Sequence, residues 1–543
     1  MISGAEIMVK CLEAEGVKVV FGYPGATICP FYDKIYDSTT IKHILVRQEQ
    51  NAAHMASGYA RCSASGIPGV CVATSGPGAT NLITGIATAY TDSIPLVAIT
   101  GQVRSDLLGR DVFQEADITG ACEPFVKHSY IVKKTEDLPR VFKEAFHIAS
   151  TGRKGPVLID IPMDIQENEI EEFVYPESVN IIGYKPNTKG HAIQVKRAVE
   201  AIKKSRRPLI VSGGGVLLSG VKPKFQAFAD MTGIPVISTM MGIGVMPSEH
   251  ELYLGMLGTH GKTVANRALH DADLVIVCGA RLGDRAVAAP HQMSENTTVI
   301  HIDIDPAEIG KNVKTEIPIV GDMKNVMNML IESIGDYKVP NQWQETVKTW
   351  KKDFLRVPPV FEGYVEPRTL VAHLSAMLRS KAILVADVGQ NQIWCANNFR
   401  IREGRFLTTG GMGTMGYSIP AAVGAKLARP NRDVVVVCGD GSFQMSMNEL
   451  ATIAGNDLAI KIIIMRNHRL GMVRELQDKN YDCRHSATIL KGDPDFLKIA
   501  EAYGIDHAEA NSNEEAEEII KGMVKSDKPF ILVCNVYPDT PSI

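Results

Sequence analysis

Short runs rich in Val and Ile recur along the chain, and polar residues do not alternate with apolar ones inside them. Many of these runs end in Gly, Asp or Asn, and segments with helical periodicity separate them. Continuous apolar runs are typical of strands buried on both faces, as in parallel sheets covered by helices. The pattern therefore predicts an α/β fold of doubly wound parallel sheets, with strands in runs 69–76, 95–101, 156–162, 208–214, 273–281, 298–305, 382–389, 433–441 and 461–467.

Two segments interrupt this rhythm. Residues 166–190 are acidic, contain Pro and lack helical periodicity, whereas residues 336–367 carry four prolines around a lone charged helix. Both segments are typical of linkers. A chain of 543 residues, at about 150 residues per domain, is expected to form three or four domains. We therefore predict three α/β units, here called the first unit (1–165), the central unit (190–335) and the third unit (366–543).

Charge and composition exclude several classes of protein. A formal charge of -4, from 57 basic and 61 acidic residues, provides no basic field for a nucleic acid. No uninterrupted run of about 18 apolar residues is present, so no membrane span is expected. Ten cysteines occur without a C-x-x-C motif, mostly in apolar segments, and the first residues have neither secretory nor transit-peptide features. These features predict reduced thiols and a cytoplasmic protein.

The strongest local motif is Gly439-Asp440-Gly441-Ser442, which directly follows an apolar run. Asn467 stands 27 residues after Asp440, at the end of the next run. Two oxygen ligands at the tips of two strands suit Mg²⁺, which prefers protein oxygens together with phosphate oxygens. Backbone N–H groups at the start of the following helix would bind a diphosphate. Asp-Gly is also a common turn, but its position between two strands favours the metal site.

A competing motif lies at 411–416, where GMGTMG satisfies the G-x-G-x-x-G pattern of dinucleotide-binding folds. Asp440 follows the motif by 24 residues, so a NAD-dependent dehydrogenase is a rival hypothesis. Two observations weigh against it. The first glycine follows only a short apolar run, and the acidic residue is embedded in GDGS rather than standing alone at a strand end. Motifs of serine hydrolases, zincins and P-loop proteins are absent from the sequence.

In the first unit, Glu49 begins a helix-like segment after the strand-like residues 41–46. A glutamate in the first helical turn is favoured by the helix dipole, so a purely structural role is the simpler interpretation when Glu49 is considered alone. The segment TSGPGATN (74–81) is a Gly/Pro loop that opens another helix, and it is also compatible with an ordinary turn.

Taken together, these segments resemble the acetolactate synthase family of thiamine diphosphate enzymes, specifically its large catalytic subunit. The resemblance runs in order along nearly the whole chain, through FGYPGA (21–26), RQEQ (47–50), ATSGPGATNLITG (73–85), DSIPLVAITGQV (92–103), FQEADI (113–118), KHS (127–129), GPVLIDIP (155–162), MLGTHG (256–261), HIDIDPAEIGKN (301–312), GGMGTMG (410–416), GDGSFQM (439–445) and NHRLGMV (467–473). It implies pyrimidine-binding, central FAD-type and diphosphate-binding domains. It also implies a homodimer or homotetramer in which each active site lies between the first domain of one subunit and the third domain of another.

The resemblance implies thiamine diphosphate and Mg²⁺ as cofactors. Asp440, Asn467 and the backbone carbonyl of Arg469 would hold the metal, and Glu49 would hydrogen-bond N1′ of the aminopyrimidine. Met415 would wedge between the two rings and hold the bent conformation of the cofactor. Further cofactor contacts are implied for Gly25, Asn81, Gln390, Asn391, Gly413, Gly441 and Ser442.

The implied reaction decarboxylates pyruvate and joins the remaining hydroxyethyl unit to a second 2-oxo acid. With pyruvate as acceptor the product is 2-acetolactate, and with 2-oxobutyrate it is 2-aceto-2-hydroxybutyrate, in branched-chain amino-acid synthesis. Gln114, Lys127 and Arg285 match family residues near the substrate or its entry channel. Arg285 would bind the acceptor carboxylate. A regulatory small subunit is a further implied partner.

Biosynthetic members of the family also carry FAD without a redox role. The residues that match its binding segments are Arg153, Gly213, Gly214, His260, Arg281 and Asp303. The chain departs from the family pattern at four positions, Met163 for Lys, Gly283 for Asp, Asn391 for His and Leu476 for Trp. The last change removes part of an apolar wall and predicts weak selection for 2-oxobutyrate. A related pyruvate oxidase or 2-oxo acid decarboxylase is the alternative within the class.

Overall fold

The computed structural model describes residues 1–287, 293, 297–354 and 357–543. It contains three six-stranded sheets, and every strand pair within them is parallel. Each Val/Ile-rich run of the sequence contains a strand of one of these sheets. The predicted α/β class with three doubly wound parallel sheets is thus confirmed. Among the described residues, no helix is long and apolar enough to cross a membrane.

The first sheet has the strand order β3-β2-β4-β5-β7-β6. Its elements, with the short pair β1 and β8, are β1 (Ile2–Ser3), α1 (Gly4–Ala14), β2 (Val19–Gly22), α2 (Cys29–Tyr36), β3 (Lys42–Leu45), α3 (Glu49–Cys62), β4 (Gly69–Ala73), α4 (Pro77–Thr91), β5 (Leu96–Gln102), α5 (Ile118–Cys122), β6 (His128–Ile131), α6 (Leu138–Ser150), β7 (Pro156–Pro162), α7 (Met163–Glu167) and β8 (Glu169–Ile170).

The central sheet has the order β11-β10-β9-β12-β13-β14. Counted from β9 this is 3-2-1-4-5-6, the order of dinucleotide-binding folds. The elements are α8 (Ala192–Lys204), β9 (Pro208–Ser212), α9 (Gly214–Leu218), α10 (Lys222–Thr232), β10 (Val236–Ser238), β11 (Tyr253–Met256), α11 (Thr263–Asp271), β12 (Leu274–Cys278), β13 (Thr298–Asp303), β14 (Ile317–Val320) and α12 (Met323–Ile334). The lone charged helix α13 (Asn341–Asp353) follows. Residues 355–356 of the predicted second linker lie outside the described residues.

The third sheet has the order β16-β15-β17-β18-β20-β19, which repeats the connectivity of the first sheet. Its elements are α14 (Pro367–Met377), β15 (Ile383–Ala386), α15 (Gln390–Asn398), β16 (Arg405–Leu407), α16 (Ser418–Ala428), β17 (Val434–Gly439), α17 (Asp440–Gln444), α18 (Leu450–Gly455), β18 (Ile460–Arg466), α19 (Gly471–Asn480), α20 (Phe496–Ala502), β19 (Asp506–Ala510), α21 (Asn513–Met523) and β20 (Phe530–Asn535). In both sheets the chain changes direction beside the first strand, which opens a crevice at β2/β4 and at β15/β17.

Local sequence signals explain where several helices begin. The side chains of Ser3, Asp322 and Ser512 precede α1, α12 and α21, and each accepts a backbone N–H from the first turn of its helix. Such caps satisfy N–H groups that have no partner within the helix. The helix boundaries therefore follow from short-range chemistry.

The first and third units share one apolar core, because α3 packs against α16 along their lengths. Two glycines make this approach possible. A Cβ added at Gly58 would lie 2.1 Å from the carbonyl oxygen of Ala421, and one added at Gly424 would lie 1.9 Å from that of Met55. The helices are therefore in backbone contact. The buried carboxylate of Glu449 joins the two units further by accepting from the Arg47 N–H and the Asn51 amide.

The segment predicted as the first linker is packed on the first unit. Within it, β8 pairs with β1 at the chain start. The Tyr175 hydroxyl donates to Glu15 at 2.8 Å, and the Tyr184 hydroxyl donates to the carbonyl of Thr151 at 2.9 Å. From residue 171 to residue 190 the segment forms no helix or strand, but its aromatic side chains pack against the apolar core of the first unit.

Candidate active site

The chain segments that follow β15, β17 and β18 bring three polar residues to the carboxyl ends of the strands of the third sheet. Gln390 starts α15, Asp440 starts α17, and Asn467 directly follows β18. All three side chains are buried. The Asn467 amide donates to Gln390 Oε1 at 3.0 Å, and Gln390 Nε2 donates to Glu475 at 2.6 Å. Sequence-distant residues therefore form one polar network at the carboxyl ends of parallel strands, where ligands bind such sheets.

Asp440 is a buried carboxylate of this network, with 1% of its surface exposed. It accepts backbone N–H groups of Gly441 at 2.8 Å, Asn467 at 3.0 Å and His468 at 2.6 Å. Burial nevertheless raises the pKa of Asp440 to about 6. A buried carboxylate beside the Asn467 amide oxygen is a donor set that suits a hard cation such as Mg²⁺. The Arg469 N–H donates to that same amide oxygen at 3.1 Å.

The other residues that the resemblance implies as diphosphate contacts differ in whether their side chains are already hydrogen-bonded within the chain. The Ser442 hydroxyl bonds the backbone of Gly439 and closes the turn before α17. Asn391 donates both amide hydrogens to backbone carbonyls, those of Asp387 at 2.8 Å and Val437 at 3.2 Å. Its side chain thus has no amide hydrogen left for a phosphate in this conformation. A Cβ at Gly441 would lie 3.8 Å from Met415 Cε, so this glycine faces the Met415 side chain.

The G-x-G-x-x-G motif lies in an irregular loop between β16 and α16. Gly413 and Gly416 have φ values of +69° and +84°, a conformation that glycine adopts without strain. A dinucleotide fingerprint follows the first strand of a sheet, at the switch point. Here the motif follows β16, an edge strand, so the geometry does not support the dehydrogenase hypothesis.

A second set of candidate residues lies at the β2/β4 crevice of the first unit. Glu49 is the first residue of α3, and Asn81 in α4 donates to its Oε2 at 3.0 Å. Glu49 Oε1 lies 3.4 Å from the position of a Cβ at Gly78, and a Cβ at Gly25 would collide with Thr74 at 2.5 Å. In the part of the chain that the structure describes, no hydrogen bond joins Glu49 or Asn81 to the Asp440 network.

The structure separates the two other candidate residues of the first unit. Gln114 has a φ of +61°, and its backbone packs against Gly76 beside the same crevice. Lys127 directly precedes β6 and therefore lies at the amino ends of the strands of the first sheet. Glu49 follows β3 and lies at the carboxyl ends, on the opposite side of the sheet. The Lys127 ammonium donates to carbonyls of Ile148 and Thr151 and to the Tyr184 hydroxyl. Burial lowers the pKa of Lys127 to about 8.

The central sheet has its own crevice between β9 and β12. Gly213 and Gly214 follow β9, and a Cβ at Gly213 would lie 2.1 Å from the carbonyl of Gly279, which follows β12. Asp303 ends β13, and burial raises its pKa to about 6. Arg153 of the first unit reaches this region, donating to Ser93 at 3.0 Å and to Asp305 at 3.0 Å. The Arg281 carbonyl accepts from Asn312 at 2.8 Å, at the rim.

A loop of the central unit also approaches the Gln390 network. The His260 carbonyl accepts from Asn397 in α15 at 2.7 Å. Burial lowers the pKa of His260, nearby Arg285 lowers it further, and Glu475 opposes the change. Arg285 is mostly exposed, and the one ion pair that it forms with a described residue is with the adjacent Asp284, at 3.5 Å. Leu476 follows Glu475 on α19 and is 50% exposed.

Besides Glu475, three carboxylates near these residues were not identified from the sequence. Asp493 pairs with His468 at 3.0 Å, and their ligand atoms lie within 4.8 Å of those of Asp440. Asp387 and Asp92 bond the backbone around the GGMGTMG segment. Only Asp387 had a signal, because it ends an apolar run as Asp440 nearly does. Asp92 begins the segment DSIPLVAITGQV (92–103) of the family resemblance, but nothing in that segment indicates its contacts, and Asp493 lies in a segment without a pattern.

Comparison with known proteins assigns the chain to a class. Three models of the thiamine pyrophosphate enzymes match in succession, the N-terminal TPP binding domain at 2–121, the central domain at 195–330 and the C-terminal TPP binding domain at 387–534. The fold and the polar network thus belong to a three-domain thiamine diphosphate enzyme.

Comparison with individual relatives identifies the family within this class. The probable acetolactate synthase large subunit of Methanocaldococcus jannaschii is 46% identical over 99% of this chain and 92% of its own length. The acetolactate synthase large subunit of Lactococcus lactis is 42% identical over 98% and 92%, and that of Haemophilus influenzae is 44% identical over 93% and 89%. The chain belongs to the acetolactate synthase large-subunit family.

Proposed function

We propose that this protein is an acetolactate synthase that condenses two 2-oxo acids with loss of carbon dioxide. Pyruvate is the donor, and pyruvate or 2-oxobutyrate is the acceptor. The observation that carries the proposal is the buried network of Asp440, Asn467 and Gln390 at the switch point of a sheet, in a chain similar to acetolactate synthase large subunits over nearly its whole length. The reaction supplies the first common step of branched-chain amino-acid synthesis.

The metal and diphosphate contacts of the proposal lie in the third unit. Asp440, the Asn467 amide oxygen and the Arg469 carbonyl would hold Mg²⁺, and Ser442, Gly441 and Gln390 would contact the diphosphate. Burial of the side chains of Asp440 and Asn467 supports this assignment, because a cation would offset the cost of a buried carboxylate. Asn391 would contribute through its backbone N–H, since its side-chain hydrogens are already donated.

The pyrimidine contacts would come from the first unit. When bound, thiamine diphosphate supplies the carbanion-stabilising chemistry, whereas protein groups orient it and tune its electrostatics. Glu49 would share a proton with N1′, and the Asn81 hydrogen bond supports a fixed position for that carboxylate. Gly25 would keep the crevice open to the ring. Met415 and Gly413 would close the other side, and proximity of Met415 Cε to Gly441 supports a wedge above the diphosphate turn.

The substrate contacts would involve Gln114 and Arg285, with Leu476 lining the acceptor site. Arg285 is free of any carboxylate beyond Asp284 among the described residues, which supports a role in binding a substrate carboxylate. Lys127 fits less directly, because its ammonium is engaged by three acceptors at the far edge of the first sheet. Within the proposal it would lie near the substrate or its entry channel, as the family resemblance implies.

FAD fits the central crevice. The 3-2-1-4-5-6 strand order, the paired glycine turns at β9 and β12, and the buried Asp303 at the end of β13 are the features that a dinucleotide site needs. Gly213 and Gly214 would contact the pyrophosphate, Asp303 would contact a ribose, and Arg153, His260 and Arg281 would line the rim. Met163 and Gly283 remove charged side chains that family members carry there. Absorbance of the purified protein, before and after heat release of cofactors, tests this assignment.

The assembly of the proposal is a homodimer or homotetramer whose active sites lie between subunits. No hydrogen bond between described residues joins the Glu49–Asn81 pair to the Asp440 network within one chain, which supports this arrangement. The relatives are named large subunits, so we include a regulatory small subunit as a partner. We also propose a cytoplasmic location, supported by ten free cysteines, of which eight are buried.

One assay tests the function. The protein is supplied with pyruvate, thiamine diphosphate and Mg²⁺, and acetolactate is converted with acid to acetoin and quantified. Acetaldehyde or acetyl phosphate as the main product would instead identify a decarboxylase or a pyruvate oxidase.

A pair of variants makes the assay specific for the metal site. Asp440→Ala should lose acetolactate formation and should release thiamine diphosphate on dialysis, because the metal loses an anionic ligand. Asp433→Ala is the matched control, because Asp433 directly precedes β17, the strand that Asp440 follows, and pairs with Arg379. Stoichiometric cofactor in dialysed Asp440→Ala would show that the metal assignment is wrong.

A further inference from the structure

The segment between β16 and α16 needs external contacts to hold one shape. Residues 410–418, here called the glycine loop, contain four glycines, and two of them have positive φ. Glycine loses more conformational entropy on folding than any other residue, so such a loop is costly to fix. The loop carries Met415, whose Cε lies near Gly441. A defined position of Met415 therefore requires anchors on either side of it.

The first anchor comes from the first unit. Asp92 caps α4, and its carboxylate accepts the N–H of Gly411 at 2.8 Å and that of Gly410 at 3.3 Å. The Asp92 side chain is completely buried and pairs with Arg61 at 2.7 Å. Arg61 also donates to the carbonyl of Thr408, which lies two residues before the start of the loop. One buried ion pair thus binds the start of the loop to α3 and α4.

The second anchor comes from the third unit. Asp387 directly follows β15 and is completely buried. Its carboxylate accepts the Gly416 N–H at 2.9 Å, the Ser418 N–H at 2.8 Å and the Ser418 hydroxyl at 2.6 Å. These partners flank Met415 on its C-terminal side. Between the anchors, the Thr414 hydroxyl meets that of Thr88 in α4 at 2.7 Å.

We propose that Asp92 and Asp387 are positioning residues that clamp the glycine loop and thereby fix Met415 against the cofactor. Because Asp92 belongs to the first unit and Asp387 to the third, the clamp makes the cofactor conformation depend on the packing between the two units. Neither carboxylate touches the metal network, so the clamp controls geometry rather than affinity. The inference rests on the proposed thiamine diphosphate chemistry.

The test compares Asp92→Asn and Asp387→Asn with the parent, each as the protein saturated with Mg²⁺ and thiamine diphosphate. Two rates are measured without substrate, deuterium exchange of the backbone amides in peptides covering 410–418 and deuterium exchange of the cofactor C2 proton. We expect amide exchange at least about tenfold faster and C2 exchange at least about tenfold slower, because misplacement of a reacting group by about 1 Å costs up to about 10²-fold. The dissociation constant of the cofactor should change by less than about threefold.

Asp160→Asn is the matched control, since Asp160 is equally buried but bonds Thr100 and Gln102 instead of the loop. Its C2 exchange should stay within twofold of the parent. If an Asn variant does not fold, Ser418→Ala and Thr88→Val remove single contacts, each worth about two- to tenfold. C2 exchange within twofold of the parent in folded variants would overturn the clamp, even if the loop amides exchange faster. Failure of the parent itself to bind thiamine diphosphate would instead overturn the proposed function.

Discussion

Asn81 donates its side-chain amide to Glu49 across 3.0 Å, which fixes one carboxylate oxygen and leaves the other, Oε1, beside Gly78. The two residues come into contact only in the folded chain, because they lie on α3 and α4 and are 32 positions apart in the sequence. The pair gives the carboxylate a fixed direction over the β2/β4 crevice. A directed carboxylate is what proton sharing with a ring nitrogen requires.

Glu49→Gln should therefore fold and bind cofactor but lose most turnover. The amide keeps the shape of the side chain and cannot take part in proton sharing, whose contribution is about 10²–10⁴-fold. Steady-state formation of acetolactate and the dissociation constant of thiamine diphosphate are the measurements. Asn81→Ala is the graded companion, because it removes only the orienting bond and should cost about tenfold or less. Activity of Glu49→Gln within twofold of the parent would contradict the assignment.

With Leu476, the enzyme should select only weakly for 2-oxobutyrate over pyruvate as the acceptor. Leu476 lies half exposed on α19, next to Glu475 of the Gln390 network. Leu476→Trp should raise the preference for 2-oxobutyrate over pyruvate by about tenfold or more, because a larger apolar wall contacts the extra methyl group. Both acids are supplied at equal concentration and the two products are quantified.

Ile193→Trp, on α8 of the central unit, controls for an added indole on the surface. The parent should form mainly acetolactate when pyruvate is in excess. A tens-fold excess of acetohydroxybutyrate from the parent would mean that another residue performs the role of the missing Trp.

Backbone contact between α3 and α16 should make two glycines irreplaceable. Gly58→Ala and Gly424→Ala should each lower the free energy of unfolding by about 1–3 kcal/mol or more, since the new methyl meets a carbonyl oxygen about 2 Å away. The midpoint of urea unfolding is the measurement. Gly522→Ala in α21 is the control, because no heavy atom lies within 4 Å of the added carbon. That change should be neutral or stabilising by up to about 1 kcal/mol.

Asp160 should make stability depend on pH near neutrality. Burial raises its pKa to about 7, although hydrogen bonds from Thr100 and Gln102 oppose the change. A carboxyl with a raised folded pKa contributes stability that is fully present below its unfolded pKa and is lost as pH rises through the folded value. The stability of the parent relative to Asp160→Asn should thus fall as pH rises from 5 to about 7, by at most about 1.4 kcal/mol per pH unit, and should level off between pH 7 and pH 8.

Urea midpoints of both proteins across this range provide the measurement. Asp433→Asn is the control, because Arg379 hydrogen bonds and charge hold the pKa of Asp433 below its usual value despite burial. Its difference from the parent should stay constant above pH 5. A constant difference for Asp160→Asn would show that this carboxyl is ionised throughout.

The sheets could be predicted from the sequence because short, uninterrupted apolar runs are typical of strands that are buried on both faces. Asp440 and Asn467 were found for the same reason, since each ends such a run. Asp493 and Asp92 were not, because their partners come from separate loops and follow no local spacing. The packing of α3 on α16 was equally hidden, as it depends on glycines that look ordinary in a helical pattern.

The position of Lys127 illustrates a different limit. The motif around Lys127 matches the family, but only the topology places this residue at the amino ends of the strands, where its ammonium donates to the carbonyls of Ile148 and Thr151 at the end of α6. Likewise, Pro and acidic residues in 166–190 predicted a linker, but they did not indicate that Tyr175 and Tyr184 would bind this segment to the first unit. Local patterns report backbone preference, and they do not report which distant surface a side chain will reach.

The distribution of Glu49 and Asp440 over two crevices of one chain has a consequence for mixtures of damaged proteins. With twofold symmetry, each site would combine Glu49 from one subunit with Asp440 from its partner, so sites arise in pairs. When chains with Glu49→Gln and chains with Asp440→Ala are dissociated and reassembled together, half of the dimers contain both kinds. Each mixed dimer holds one intact site and one doubly defective site. Two inactive preparations should then recover about a quarter of the parental activity, a complementation that sites confined to single chains would never allow.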